Sequence, residues 1–566
     1  MNSVPSGDDG ARSENDPSSR QSVADRLVER IRATGARRLY GLPGGGTSLD
    51  LIESARVRGM PFVLARHECA GVMMAATAAD LEESVGLALT TKGPGMANAV
   101  NGIAHASLDR SPLALVADGF SDKQMTYVTH QWYDQRAVLA PLVKAHSTLS
   151  PDTAATEIDR LIAAAQAPRP GPVHIELNGS DARALIQRTS ADRAPGPGRA
   201  PATPEAEPAT IERACERLRQ SRRPVLVIGL EARRSTVVDR VRRLAERLGC
   251  AVLVTYKAKG VIADDSPLHA GIFTGGAAEQ ATVASADLIV LIGADPVEFI
   301  LQPWPYSLPV LEVGLSRHPV HYVDAQIALH GALEPHLEHL IDAAHASDWT
   351  LAEIAERRSA MQAALAYTGS GDLIDPQEAV ESTLAVCAAH CSASGAPLPR
   401  VSVDAGAHMF SATTFWPCAQ AHDLLISNGL ATMGYALPAA IASALHEPHR
   451  PAIAFTGDGG LLMTLGELAT AVEQRCRLIT IVFNDGALSL IDIKQQSRAL
   501  PIQGVRWDRP DFATVMNGLG GLGLSARSPA ELRRAVERAL AADGPVLIDA
   551  AIDPSGYPAQ LRALRG

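Results

Sequence analysis

Short apolar runs recur along the chain, and most end in glycine or an acidic residue. The first group reads RRLYGLPGGG (37–46), FVLAR (62–66), VGLALTTKGPG (85–95), LALVADG (113–119) and VHIELNG (173–179). Between the runs lie longer stretches with helical periodicity. VADRLVERIRATG (23–35) is one, and it closes on a glycine stop signal. Runs of four to six apolar residues alternating with helices predict strands buried on both faces, hence a parallel sheet wound in both directions. The pattern restarts twice. PVLVIG (224–229), AVLVTY (251–256), LIVLIG (288–293) and VLEVG (310–314) form a second group. RVSVDAG (400–406), AIAFTGDGG (452–460), LITIVFND (478–485) and VLIDAAI (546–552) form a third. The expected fold is α/β, with three doubly wound parallel-sheet domains at 21–188, 210–345 and 376–566. A Pro/Ala/Gly-rich linker at 189–209 and a polar helical connector at 346–375 separate them, and residues 1–20 read as a disordered tail.

Composition narrows the function classes. A length of 566 residues suits three or four domains, and 46% hydrophobic with 20% charged residues is ordinary for a globular chain. The formal net charge is −11 and no long basic block occurs, so neither nucleic acid nor an anionic membrane is an expected partner. Seven scattered cysteines fit a reducing compartment. Cys387, His390 and Cys391 could share one helix face as zinc ligands, but with no second ligand cluster a packing face is the better reading. The N-terminus lacks a secretory apolar region and no stretch is long enough to span a bilayer, so a cytoplasmic protein is expected.

The candidate chemistry sits at strand ends. TGDGGLL (456–462) follows an apolar run directly. Its glycines would let backbone N–H groups approach a diphosphate, the following helix adds a favourable dipole, and Asp458 offers an oxygen to a hard cation. Taken alone the motif is weak, and a β-turn is the better reading. The next apolar run ends in Asn484-Asp485-Gly486, 26 residues beyond Asp458. If the two strands are neighbours, the two loops form a clamp for a metal and a diphosphate.

GDGG followed at this spacing by NDG resembles the thiamine-diphosphate signature. With the other motifs, the chain resembles the superfamily of acetolactate synthases, pyruvate oxidases and 2-oxo-acid decarboxylases over nearly its whole length. Arg66-His67-Glu68 is similar to the family's pyrimidine-domain motif, and TKGPGMAN (91–98) to its Thr-x-Gly-Pro-Gly-x-x-Asn loop. NGLATMGY (428–435) resembles the segment that bends the cofactor, and YKAKG (256–260) the Lys-Gly turn of the central domain. The resemblance makes the three domains pyrimidine-binding, central and diphosphate-binding. It implies that Glu68 hydrogen-bonds the aminopyrimidine ring, that Met433 lies under the bend, and that Ala405, Gly406, Ala407 and His408 contact the diphosphate with Gly429, Gly457, Asp458, Gly459, Gly460, Asp485 and Leu488. Gly44, Gly45 and Gly46 would lie against the substrate end of a neighbouring subunit's cofactor. The implied cofactors are thiamine diphosphate and Mg2+. The implied assembly is a homodimer or homotetramer, because the family's glutamate and diphosphate site come from different subunits.

The sequence departs from the family in three places. Counting along the motif, the usual asparagine ligand is replaced by Asp485, so the expected protein ligands are Asp458, Asp485 and the Ala487 carbonyl. Where the pyruvate-decarboxylase branch has a His-His pair and a glutamate after the metal motif, this chain has His130-Gln131 and Leu490-Ile491. His130 is either a general acid/base or a polar wall, and Gln131 resembles the glutamine that positions a second carbonyl in acetolactate synthases. Leu490 and Ile491 would line the acceptor pocket. The central strand ends lack a G-x-G-x-x-G fingerprint, and no FAD is expected. The expected activity is decarboxylation of a 2-oxo acid with transfer of the acyl carbanion to a second carbonyl. A non-ligating decarboxylase or related carbon–carbon lyase is the alternative, and a non-catalytic cofactor-binding paralogue a third.

Overall fold

A computed structural model of the chain describes residues 20–188, 205–299, 302–318 and 323–566. The tail at 1–19 and most of the predicted linker, 189–204, lie outside the described residues. Three six-stranded, all-parallel sheets carry the molecule. The first is ordered Phe62–Leu64, Leu39–Leu42, Gly86–Thr90, Leu113–Asp118, Pro172–Leu177, Ala145–Thr148. In chain order this is 2-1-3-4-6-5. The third sheet has the same order: Leu424–Ile426, Arg400–Val403, Ala452–Gly457, Leu478–Asn484, Val546–Ala551, Leu522–Ala526. The middle sheet runs His269–Ile272, Ala251–Val254, Pro224–Ile228, Leu288–Ile292, Val310–Gly314, Ile327–His330, which is 3-2-1-4-5-6. All three are doubly wound. The central strands of each are buried throughout, as their unbroken apolar composition requires.

The structure adds elements that the apolar pattern did not show. Arg20–Ser22 pairs antiparallel with Leu185–Gln187, tying the start of the first domain to its end. The helix Pro208–Gln220 begins inside the stretch read as linker, with proline at its first position where no N–H is needed. The connector holds one helix, Leu351–Ala364, started by a Thr350/Glu353 capping box.

The first and third units pack on each other through the helices Glu68–Glu82 and Ala436–His446, both rich in alanine. Small side chains let the two backbones lie close, and one apolar cluster runs from Ala70 and Ala75 to Ala440 and Ala444. No helix among the described residues is long and apolar enough to cross a membrane.

Candidate active site

Each doubly wound sheet has a switch point beside its first strand, where the chain turns to wind in the opposite direction, and ligands of such sheets bind in the crevice there. In the third sheet this lies between the strands Arg400–Val403 and Ala452–Gly457. DAGAH leaves the first of these strands and GDGG the second, and the NDG turn leaves the adjacent strand Leu478–Asn484. The GDGG loop is in fact no loop: strand passes straight into the helix Asp458–Thr464. Asp458 is buried and accepts from the backbone N–H groups of Gly459 and Gly486, each at 2.8 Å. That second bond joins the two motifs.

Asp485 accepts from the Ala487 N–H at 3.1 Å and from Ser489 Oγ at 2.6 Å. Burial, then the charge of Asp458, pushes its carboxyl up to about 7. Burial pushes Asp458 up to about 6, against the pull of its backbone donors. Asp458, buried, and Asp485, half-buried, are carboxylates of the kind a hard cation takes as ligands. Asn484 turns elsewhere: its amide donates to the Pro510 carbonyl at 3.0 Å and to Asp549 Oδ1 at 2.9 Å.

The glycines beside this pair mark a cradle. A methyl group on Gly460 would come within 2.2 Å of Asp404 Oδ2, and one on Gly459 within 3.4 Å of Leu488, Met433 and Trp507. Met433 and Leu488 therefore stand over the GDGG backbone. His408 is stacked on Phe483 with ring centres 5.1 Å apart, and methyl groups on Gly406 or Gly457 would press against its imidazole. Burial lowers His408 to about 4, against the Phe455 carbonyl, so the ring is neutral at pH 7. Its Nε2 is buried without a partner. An orphaned polar atom, two cation-seeking carboxylates and glycines where side chains would collide fit a diphosphate and its metal. Ala405 and Ala407 bracket this turn, with the Ala405 N–H bonded to Asp404.

Asp404 is the residue that sequence reasoning passed over. It is buried at the strand end, and burial pushes it up to about 6. It accepts from Thr456 Oγ1 at 2.9 Å, from the Gly434 N–H at 3.0 Å and from the Tyr435 N–H at 3.1 Å. One carboxylate thus ties the Met433 loop to the diphosphate cradle. Its only sequence signal is an acid at the carboxyl end of an apolar run. Trp507 carried no such signal, because it comes from an irregular segment that pairs with the NDG turn through its N–H to the Gly486 carbonyl.

The first sheet supplies the second half. Its reversal lies between Leu39–Leu42 and Gly86–Thr90, flanked by the LPGGG and TKGPG loops. Methyl groups on Gly44 or Gly46 would crowd Asp118, while open space stands over Gly45. Glu68 is the first residue of its helix, is buried, and accepts from Asn98 Nδ2 at 3.0 Å. Gly95 is needed there, since a methyl group would reach Glu68 Oε1 at 3.0 Å. The turn before Glu68 is held from the third unit: Glu467 Oε1 accepts from the Arg66 N–H at 2.9 Å and the His67 N–H at 3.0 Å. No hydrogen bond links Glu68 or Asn98 to Asp458 or Asp485 within the chain.

His130 and Gln131 are exposed. Gln131 takes a left-handed backbone (φ 58°) and packs on Gly93, and Tyr133 donates to the Gly93 carbonyl at 3.0 Å. Leu490 is half-buried and Ile491 exposed, on the helix that starts at Ser489. Gly429 packs on the Leu108 carbonyl. Cys387 and Cys391 are buried while His390 faces solvent, so the three do not converge.

Comparison with known proteins agrees with this geometry. Residues 21–138 match the N-terminal TPP binding domain of thiamine pyrophosphate enzymes, 211–340 the central domain and 404–550 the C-terminal TPP binding domain. The chain belongs to the thiamine pyrophosphate enzyme family. Among its relatives are the acetolactate synthase of Bacillus subtilis (strain 168), 25% identical over 94% of this chain and 93% of the relative. The probable 2-ketoarginine decarboxylase of Pseudomonas aeruginosa is 28% identical, covering 94% of each chain. A pyruvate oxidase of Lactiplantibacillus plantarum is 27% identical over 93% of this chain and 88% of the relative. Members of this thiamine pyrophosphate enzyme family thus carry synthase, decarboxylase and oxidase names at similar distance from the chain.

In this family member the central sheet also reverses at a crevice, between Pro224–Ile228 and Leu288–Ile292. There Glu231, Asp295 and His318 come within 4.8 Å of one another. Asp295 is already paired with Arg110 at 2.7 Å and capped by the Val297 N–H at 3.0 Å.

Proposed function

We propose that the protein is a carboligase that depends on thiamine diphosphate and Mg2+. It would decarboxylate a 2-oxo acid and transfer the acyl carbanion to a second carbonyl compound. The bound cofactor supplies the electron sink that lets carbon dioxide leave. Asp458, Asp485 and the Ala487 carbonyl would hold the metal, with the glycines of GDGG and His408 facing the diphosphate. Met433 and Leu488 would support the rings from below. Glu68, kept in place by Asn98, would exchange a proton with the aminopyrimidine. The Asp458 cradle and Glu68 share no hydrogen bond within one chain, which supports a homodimer, or a homotetramer built from dimers, with sites completed between subunits. Apolar side chains exposed near both halves, Trp132 at 48%, Met463 at 59% and Ile491 at 44%, favour the same reading.

The observation that carries ligation over simple decarboxylation lies just past the metal motif. Leu490 and Ile491 stand where the decarboxylase branch places a glutamate. The next carboxylate, Asp492, is held by Arg506 Nε and Nη2 at 3.1 and 2.8 Å. Among the described residues after the metal motif no unpaired acid follows, so release of a free aldehyde by protonation would be disfavoured and transfer to an acceptor favoured. Gln131 and His130 would face that acceptor. The likeness to a probable 2-ketoarginine decarboxylase over 94% of the chain favours the second reading, release of a free aldehyde. Product analysis with pyruvate alone, then pyruvate plus an aldehyde, separates the two. Hydroxyketone is the expected product, and aldehyde alone in both reactions would refute ligation. No FAD is required by this scheme.

A further inference from the structure

The loop that carries Met433 is fixed at both ends, and the counter-charge behind one of its two anchors comes from the central domain. At its far end, Gly434 and Tyr435 donate to Asp404. At its near end the anchor is Asp109, fully buried just after the helix Pro94–Leu108. Asp109 Oδ1 accepts from the Asn428 N–H at 3.0 Å and the Gly429 N–H at 3.4 Å. Asp109 Oδ2 accepts from Ser427 Oγ at 3.3 Å and faces His105 Nδ1 at 2.9 Å. Ser427 Oγ in turn accepts from the Thr432 N–H at 3.4 Å, next to Met433.

The charge that keeps Asp109 ionised is Lys257, whose Nζ lies 2.8 Å from Oδ1. Lys257 is itself buried, in the turn after the central strand Ala251–Val254. Burial pushes Asp109 up, but Lys257 and then His105 outweigh it and hold the carboxyl far below its usual range. Arg233, also central, pairs with Asp80 at 3.3 Å, and Lys257 stands 3.9 Å from the same carboxylate. Three of the chain's sequence-distant segments therefore meet in one buried charge group.

We infer that Lys257 is a positioning residue for the cofactor, acting through Asp109 to hold the Met433 loop in its working shape. This inference rests on the reading of the chain as a thiamine-diphosphate enzyme. Without Lys257, Asp109 is a buried carboxylate that has lost its strongest counter-charge, and it must rearrange or take up a proton. Either change weakens the acceptor that the Asn428 and Gly429 N–H groups share.

The test uses the full-length protein with Lys257→Met, and with Asp109→Asn, which keeps the shape but removes the charge. Thiamine diphosphate is titrated in the presence of Mg2+ by calorimetry, and amide hydrogen exchange is followed over 427–435 without cofactor. Both variants should bind thiamine diphosphate about tenfold more weakly, the scale typical of a group acting through a first-contact partner. Amides of 427–435 should exchange faster while those of the sheet Arg400–Ala551 stay protected. At saturating cofactor kcat should fall with KM for the 2-oxo acid unchanged. Wild-type affinity and wild-type exchange at 427–435 in either folded variant would overturn the inference while leaving the family reading intact. Failure of the wild-type protein to bind thiamine diphosphate would overturn both. If Lys257→Met does not fold, Asp109→Asn decides by the same readouts.

Discussion

Burial has raised the Asp458 carboxyl to about 6, and burial followed by the charge of Asp458 has raised Asp485 to about 7. Protons therefore compete with a cation at this pair. Mg2+ affinity should fall as pH drops from about 8 to about 5.5, as both groups take up protons. The Mg2+-induced rise in Tm should shrink over the same range; an equal rise at both ends would show that the pair is not the ligand set. Asp485→Ala should weaken Mg2+ by at least about tenfold. Asn484→Ala should leave Mg2+ binding alone and cost about 1–3 kcal/mol of stability, because Asp549 and Pro510 lose a buried partner. The reverse pattern would transfer the ligand role to Asn484. At the other end, Glu68→Gln should lower kcat by at least about 100-fold with cofactor affinity within a few fold, as expected for a proton-transfer group. Unimpaired turnover would remove Glu68 from the mechanism. Acid identities were legible in the sequence because strand-end motifs are local. Asp404 and Trp507 were not, because their roles come from partners 30 or more residues away, Gly434 for one and Gly459 for the other.

At the scale of elements, the central strands could be read from sequence, but of the outer ones only Phe62–Leu64, in FVLAR, could. His269–Ile272, Ile327–His330, Leu424–Ile426, Leu522–Ala526 and Ala145–Thr148 are all outermost in their sheets, and none stood out as an apolar run. An edge strand has one neighbour, so it needs no continuous apolar stretch; AHST, partly exposed along its length, illustrates this. In sequence the TGDGG stretch looks like a glycine loop, yet helix begins at Asp458 without a linking residue. Packing explains why that junction tolerates only glycine. Gly460→Ala should cost about 1–3 kcal/mol, since its methyl group would overlap Asp404 Oδ2 at 2.2 Å. Cofactor affinity should drop with it, because Asp404 also holds the Met433 loop. An unchanged Tm and affinity would mean that Asp404 can swing aside at no cost.

On the scale of the whole molecule, the proposed dimer predicts complementation. Glu68→Gln and Asp458→Ala chains, each inactive alone, should regain about a quarter of wild-type activity when refolded as a statistical mixture, because half the dimers are mixed and each has one intact site. No recovery would place both residues in one chain's site. The central domain makes a separate prediction. Burial raises Glu231 to about 8 and Glu298 to about 7, so the folded state holds protons there that the unfolded state releases near its ordinary carboxyl range. Their contribution to stability is present at acid pH and is lost as pH rises toward 8. Glu231→Gln should therefore raise Tm at pH 8 and change it little at pH 5; the opposite order would mean that Glu231 is charged and paired in the folded protein.

Much of this protein is written locally. Alternating apolar runs and helices specify three parallel sheets, because a strand buried on both faces must be apolar throughout. Glycine and acid at the ends of those strands specify where chemistry is housed, because only the ends leave backbone N–H groups open. What the tertiary structure alone decided is which ends meet. Strand order puts DAGAH beside GDGG, Asp404 joins both to the Met433 loop, and Lys257 reaches Asp109 from another sheet. Those juxtapositions depend on contacts between residues 30 to 320 positions apart, and no local pattern of residues encodes them.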